Sequence, residues 1–592
     1  NIVKNVLKES RAKILFILLL TFSALVLGAC AAQPERLWIK TPGWSRAQLI
    51  GNTRVGDPVQ LAVDKDGKVY VFYIAATEDG PRIHIHAMDK NANTLWGQTF
   101  TEIELSIPSE PKLILNGEVL NLYWVMLDRL YRVQVDKHGE IVSPPEILSG
   151  DVTVETYDVA RDQDGNIAIW FSQSEDRRGV FALEDGVIVP VDRDGLRPDI
   201  QYDGNGILHA VWAHTSSERN RRRINYGAYP SGTFEPKIAK IVVSPLVYGT
   251  VIFEGPHLGL DRNHVYIFWS ITYLSGEEAG TVKTLYSYFP IGFPEEASHE
   301  KKLTVPYSYD LHYDELDSDA PPTGERVHLE DGFIGGGRYI TQVNPGPTVG
   351  EELVVAFHAR LGYLLRKTQS QVSSVFLQDG DNRGYQELSF TSSFSSQPSI
   401  FSDEEGHLYL TWLEKGALPG WMVYFASTAP SLSNGLGGVT VDDVGRVSAE
   451  AVFGLLTGAL LIPVAFIWII PAMIVFVIFS RLLRSDEKAT NTRGLLTLGF
   501  TLVALWVAKI SVLPGMRDYV PFSAWIVFLP EWIRTPLLLG VPFLIAVGSL
   551  VLAWIISSRE EEPTTYRIVV AYIIIDAILT MAIYGVLIYA AF

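Results

Sequence analysis

The chain is poor in several features that would narrow its chemistry at once. It holds a single cysteine among 592 residues. No intrachain disulfide is available, so any outer domain must rest on a hydrophobic core. Positive charge is scarce: 48 Lys and Arg stand against 66 Asp and Glu, for a net charge of -18. Nucleic acid is bound through basic patches and counterion release, and this balance argues against it as a partner. There is no Gly-rich phosphate loop, no G-x-S-x-G elbow and no H-E-x-x-H pair. The usual signatures of phosphate binding, acyl transfer and zinc proteolysis are therefore missing. Between the two ends, about 400 residues pass without an apolar run of membrane-crossing length.

Apolar character is concentrated at the ends instead. Near the start, Lys4, Lys8, Arg11 and Lys13 precede an apolar stretch from Ile14 to Leu27. Leu27-Gly28-Ala29-Cys30 then resembles the lipobox of bacterial lipoproteins. Small residues let a peptidase approach the backbone, and the thiol accepts the lipid. The resemblance implies a signal peptide over 1–30 and a lipid anchor at Cys30, with an uncleaved signal anchor as the alternative.

The C-terminal part carries four apolar stretches, Val452–Ser480, Leu495–Leu513, Leu537–Ile556 and Ile568–Ala591. Each reaches the roughly 20 residues that cross about 30 Å of hydrocarbon. Pro463 and Pro471 interrupt the first, which is longer than needed. Arg481, Arg484, Lys488 and Arg493 follow the first span, and Arg559 and Arg567 follow the third. The denser basic loops belong on the cytoplasmic side, which places the residues before span one outside. The lipobox places residue 30 onward outside as well, from different residues.

The middle is built on a repeat: a proline, a strand, an Asp/Gly or Asn/Gly turn, and an alternating strand ending in an aromatic. Pro58 leads to Asp64-Lys65-Asp66-Gly67 and then Val69–Tyr73; Pro111 leads to Asn116-Gly117 and Val119–Trp124. Asp162–Gly165 precedes Ile167–Trp170, and Pro198 leads through Asp203–Gly206 to Ile207–Trp212. Pro256 leads to Val265–Trp269, and Pro398 through Asp403–Gly406 to Leu408–Trp412. A weaker copy spans Tyr339–Gln342 and Leu353–Phe357. Turns of this kind favour Gly and Asn because they accept φ > 0. A period of about 43 to 60 residues points to a four-stranded sheet repeated radially, an all-β propeller. Seven blades are expected, with six as the alternative, and Ser45–Ile50 is placed to close the ring on the last blade. The expected organisation is a propeller over 31–428 with an insertion at 290–338, a linker over 429–451, and an α-helical transmembrane bundle of four spans over 452–592.

This repeat resembles those of bacterial sialidase-like (BNR-type) propellers over most of residues 45 to 428. The resemblance implies the propeller fold. In that family the aromatic of the Asp-box lies close behind the glycine, whereas Trp212 and Trp412 stand six positions after Gly206 and Gly406. The family's arginine triad, Tyr/Glu pair and acidic acid/base find no match, and Arg82-Ile83-His84 lacks the proline of the family's Arg-Ile-Pro motif. The resemblance therefore assigns no catalytic residue.

The remaining candidates are polar clusters. Asp64/Asp66 and Asp162/Asp164 have the oxygens that calcium takes, but Asp in such turns ordinarily caps its own backbone; the expectation is no cofactor, with calcium as the alternative. His84 and His86 alternate along one strand face without a third ligand nearby, so no metal site is assigned. In the insertion, Tyr309, Asp310, Tyr313, Asp314 and Asp317 make the best candidate contact loop. The basic run Arg219–Arg223 reads as a solvated hairpin, with an anionic polymer or headgroup contact as the alternative. Asp576 lies deep in span four and Lys509 near the end of span two; they can pair only if the helices are staggered. The packing-glue reading is preferred over a proton or ion path. Tyr519–Trp532 reads as an interfacial aromatic stretch. Together these features describe a cell-membrane protein with an outer propeller that recognises protein or glycan, touches lipid and joins other membrane subunits. A sialidase-like glycoside hydrolase, and an extracytoplasmic sensor or accessory subunit of a transporter, are the alternatives.

Overall fold

The computed structural model describes residues 36–591 apart from 40, 54–55, 104, 107, 175–176, 185, 216–220, 231–237, 246–249, 306–321, 328–338, 364–366, 390, 392, 417–419, 439, 484–490, 514–515, 517–530 and 559–563. The described residues form two compact units, one within 36–438 and one within 440–591.

The first unit is almost wholly β. After β1 (Arg36–Leu37) and β2 (Ala47–Thr53) come antiparallel strands in sets: β3 (Gln60–Val63), β4 (Val69–Thr77), β5 (Gly80–Met88), β6 (Thr94–Phe100). Next are β7 (Ser109–Asn116), β8 (Val119–Met126), β9 (Arg129–Asp136), β10 (Ile141–Ile147), and β11 (Thr156–Arg161), β12 (Ile167–Ser172), β13 (Val180–Glu184), β14 (Val187–Asp192). They are followed by β15 (Gly195–Tyr202), β16 (Ile207–Thr215), β17 (Arg222–Pro230), β18 (Ile238–Val243), and β19 (Val251–Leu260), β20 (His264–Tyr273), β21 (Val282–Pro290), β22 (Lys301–Lys302). The last are β23 (Tyr339–Val349), β24 (Glu352–Tyr363), β25 (Lys367–Gln378), β26 (Asp381–Glu387), and β27 (Ser395–Ser402), β28 (Leu408–Lys415), β29 (Trp421–Ser427). Five sheets are four-stranded, and β27-β28-β29-β2 continues into β4-β5-β6 as a nine-stranded sheet that includes β1 and β3. That junction is the single pair Thr53–Ala75. The first strands of successive sets lie side by side, β3 on β7, β7 on β11, β11 on β15, β15 on β19, β19 on β23, β23 on β27, and β27 again on β3. The sheets therefore surround an axis, and the unit is a β-propeller.

The recurrent turn has one physical cause. Asp64 Oδ1 accepts from the N–H groups of Asp66 and Lys68 at 3.0 and 2.9 Å. Asp203 accepts from Asn205 and Ile207, and Asp403 from Glu405 and His407, in the same geometry. The carboxylate replaces backbone acceptors that a tight hairpin lacks, and Gly67, Gly206 and Gly406 take the φ > 0 position that follows. The aromatics that end the second strands, Trp124, Trp170, Trp212, Trp269 and Trp412, are buried in clusters shared with a neighbouring sheet. Each fills the wedge that opens between radially arranged sheets.

Ring closure occurs where the sequence places it. β2 pairs antiparallel with β29, from Gln48–Phe425 to Thr53–Trp421. The chain leaves through α1 (Pro430–Leu436), whose Leu432 and Leu436 join the core beneath β3–β5. Arg46 Nη1 donates to the Gly438 carbonyl at 2.6 Å and Arg36 Nη1 to that of Leu436 at 3.4 Å. These bonds hold the two ends of the unit together at the Asp-turn end of the ring.

The second unit contains α2 (Val441–Leu460), α3 (Phe466–Leu483), α4 (Thr492–Val512), α5 (Glu531–Ser557) and α6 (Thr565–Ala591). Thr440 and Asp443 form a reciprocal capping box at the start of α2. Four stretches have the length and apolarity to cross a membrane: Ile462–Leu483, Thr492–Val512, Pro536–Ser557 and Thr565–Gly585. The first differs from the expected Val452–Ser480: the helix breaks after Leu460, and a short 3-10 turn carrying Pro463 leads into α3. Proline has no N–H to continue the ladder, whereas Pro471 is retained within α3. Helices α2 and α6 approach closely at Gly458 and Gly585, where a Cβ on Gly585 would lie 2.6 Å from the Gly458 Cα.

Candidate functional site

The innermost strands share a distortion. β7, β15, β19, β23 and β27 each carry a bulge near their first residues, at Ser109/Lys112, Leu196/Asp199, Glu254/His257, Thr341/Asn344 and Ser396/Ser399. The bulged residue has φ > 0 in every case: Glu110 (52°), Arg197 (52°), Gly255 (94°), Gln342 (53°) and Gln397 (53°). Only glycine adopts this region freely; elsewhere it carries strain of order 1–3 kcal/mol, and such strain gathers at functional sites. In four of the five strands a proline follows directly, Pro111, Pro198, Pro256 and Pro398.

Around these bulges the charged side chains of four successive sheets converge. Lys112 Nζ pairs with Asp158 Oδ1. Asp158 also accepts from Val159 N–H at 2.9 Å and, through Oδ2, from Ile200 N–H at 2.7 Å, so one carboxylate ties β7, β11 and β15 together. His257 Nδ1 lies 3.4 Å from Asp199 Oδ2. Asp57 Oδ2 accepts from Glu110 N–H at 3.0 Å, and Tyr157 Oη donates to the Glu110 carbonyl at 2.5 Å. Arg197 Nη1 donates to the Phe253 carbonyl at 2.5 Å. Asp158 is buried, but Lys112, Asp199 and His257 keep 31%, 25% and 30% of their side-chain area exposed, so the cluster is partly open to solvent.

The electrostatics follow from that crowding. Burial pushes the Glu110 carboxyl up to about 7 against the pull of Lys112, with Asp57 and Asp158 adding repulsion. Burial raises Asp57 as well. Burial opposes the charge of Lys112, but Asp158 and Asp199 outweigh it and hold the amine above its ordinary value. His257 is raised too: burial works against the imidazolium, and Asp199 overcomes it. The result is a carboxyl that holds its proton toward neutrality beside a lysine amine, a set able to donate and accept hydrogen bonds in one place.

The residues singled out by sequence fall elsewhere. Cys30, the contact residues Tyr309, Asp310, Tyr313, Asp314 and Asp317, Arg219, and Tyr519–Pro530 lie outside the described residues. His84 Nδ1 bonds Thr99 Oγ1 at 2.8 Å and His86 Nε2 bonds Thr94 Oγ1 at 3.1 Å, so each imidazole has a hydroxyl partner on the adjacent strand. Asp576 and Lys509 do meet: Nζ donates to Oδ1 and Oδ2 at 2.9 and 3.0 Å and to Thr580 Oγ1 at 3.2 Å, with both side chains fully buried. The axial cluster carries no periodic signal of its own. The repeat shows its prolines, but nothing in it singles out the residues before them, Glu110 and Arg197, or those just after, Lys112, Asp199 and His257.

No family model matches the chain, and no curated protein matches it. Among solved structures it is similar to a polysaccharide lyase PL25 ulvan lyase bound to -[GlcA(1-4)Rha3S]- (9% identity, 64% of this chain and 95% of that chain, TM-score 0.42). It is also similar to a Penicillium chrysogenum alpha-L-arabinanase complexed with arabinobiose (11%, 64% and 98%, TM-score 0.32). A third is a subtype N10 neuraminidase-like protein of A/little yellow-shouldered bat/Guatemala/060/2010 (11%, 55% and 96%, TM-score 0.32). At these scores the likeness assigns neither activity nor ligand. The class rests on strand pairing: a β-propeller followed by helices of membrane-spanning length.

Two outcomes follow from the site and the pair. Between about pH 4.5 and 7 the folded chain keeps the Glu110 proton that the unfolded chain releases, so stability falls as pH rises through that window. Glu110→Gln removes this fall, and at pH 8 it is expected to be more stable than the native chain by about 1–2 kcal/mol after discounting for solvent contact. Denaturant unfolding at pH 5 and pH 8 measures it; equal pH dependence in both proteins contradicts the assignment. For the buried pair, Lys509→Met strands the Asp576 carboxylate and costs about 3–5 kcal/mol, whereas Lys509→Met with Asp576→Leu recovers most of the loss. Thermal unfolding in detergent reads both, and a double variant no better than the single one refutes the pairing energetics.

Proposed function

We propose that this protein is a membrane-held propeller of seven blades that recognises a hydroxyl-rich glycan at its axial cluster, in the manner of a receptor or a subunit of a membrane complex. The observation that carries the reading is the convergence of Glu110, Lys112, Asp158, Asp199 and His257 on four adjacent innermost strands, three of them bulged beside these residues. Carboxylates accept from sugar hydroxyls, while the ammonium and imidazole donate to them, so one face of a saccharide finds both kinds of partner. The four apolar helices hold the protein in the membrane. The basic residues after the first and third spans put the propeller on the extracytoplasmic side, and a lipid at Cys30 adds a second tether.

One observation favours a second reading, a glycoside hydrolase: the Glu110 carboxyl, pushed up to about 7, sits among other carboxylates as a general acid would. A sensor or accessory subunit of a transporter is a third role compatible with the same architecture.

The test is binding of the detergent-solubilised chain to an immobilised glycan panel. Lys112→Met and Asp199→Asn are expected to weaken capture more than tenfold while circular dichroism stays unchanged. Native-level capture by both variants removes the cluster from recognition. Release of reducing sugar, abolished by Glu110→Gln, moves the assignment to the hydrolase. A mature mass without diacylglycerol at Cys30 removes the lipid tether.

A further inference from the structure

We propose that Asp261, His264 and Asp379 form a binding site for a divalent transition-metal cation such as Zn2+ or Mn2+, at the Asp-turn end of the ring and away from the axial cluster. Asp261 lies in the β19–β20 turn and His264 opens β20, while Asp379 stands at the tip of the β25–β26 hairpin of the next sheet. One potential ligand atom from each lies within 4.8 Å of the others.

The geometry differs from that of an ordinary turn. In the last sheet the corresponding histidine, His407, bonds its turn carboxylate, Nδ1 to Asp403 Oδ2 at 3.0 Å. His264 Nδ1 instead points between two carboxylates, 3.4 Å from Asp261 Oδ1 and 3.3 Å from Asp379 Oδ1. It is buried and makes no hydrogen bond to either. Those separations are long for N–H···O contacts. They match the edge of a tetrahedron whose metal–ligand bonds are about 2.0–2.1 Å, which is about 3.3–3.4 Å.

The surroundings suit such a site. Asp261 Oδ1 accepts from Asn263 and His264 N–H at 2.7 and 2.6 Å, and its Oδ2 accepts from Tyr266 Oη at 2.7 Å and Asp379 N–H at 3.1 Å. The carboxylate is thereby locked in orientation, as outer hydrogen bonds lock metal ligands. Asp379 keeps 46% of its side-chain area exposed, which leaves an open side for water. Two carboxylate oxygens and one imidazole nitrogen favour a borderline transition metal over Ca2+ or Mg2+, which take oxygen alone. A bound cation would pin the turn of one sheet to the hairpin of the next.

The test is calorimetric titration of the full, untagged, chelator-treated chain in detergent with Zn2+, Mn2+ and Ca2+. One Zn2+ or Mn2+ per chain is expected, bound more tightly than Ca2+. His264→Gln and Asp379→Asn are each expected to weaken it at least about tenfold, consistent with loss of one ligand. Circular dichroism checks the fold, and Asp379→Asn, at an exposed tip, serves if His264→Gln unfolds. No stoichiometric binding, tighter Ca2+ binding, or native affinity in a folded variant overturns the site.

Discussion

The pairing of β2 with β29 is the contact on which the propeller depends. It joins residues near position 50 to residues near 425, and without it the last sheet would end on an exposed edge. Closing so long a loop carries an entropic cost that grows only slowly with length, and the strand ladder offsets it. Ser45 and Ser427 exchange further hydrogen bonds beside the ladder, and Arg46 fixes the departing chain at Gly438.

A closed ring crowds its axis. The innermost strands are the ones that meet there, and five of them relieve the register with a bulge. A bulge redirects one side chain and interrupts the ladder, so polar groups reach the axis instead of packing between sheets. Charge accumulates at that point because four sheets contribute to it. Lys112 and Asp158 then neutralise one another across the boundary between β7 and β11, and Glu110 holds its proton more tightly because burial disfavours its charged form, with Asp57 and Asp158 adding repulsion. Strain, charge and proton affinity are thus consequences of the same geometry.

The helical unit meets a related problem in its buried charges. Lys509 and Asp576 would each be costly to bury alone among apolar helices, but together with Thr580 they leave neither charge uncompensated. Their chemistry was legible from two isolated charges in apolar runs; their meeting needed the stagger of α4 and α6. The break at Pro463 was legible in kind but not in position, since two prolines occur in the stretch and only one ends a helix.

The sequence by itself determined the strands, their turns and the apolar spans, because those depend on local periodicity and on residues that accept φ > 0. Asp-x-x-Gly turns and terminal tryptophans repeat often enough to imply radial sheets, and Ser45–Ile50 could be assigned as the closing strand from its place before the first repeat. Only the tertiary structure decided which charges meet. Glu110, Lys112, Asp158, Asp199 and His257 span almost 150 positions, and so do not form a motif. For four of them the trace is a place beside a repeat proline, whereas Asp158 has no proline next to it, and that trace becomes legible only once the ring brings these strands to the same axis.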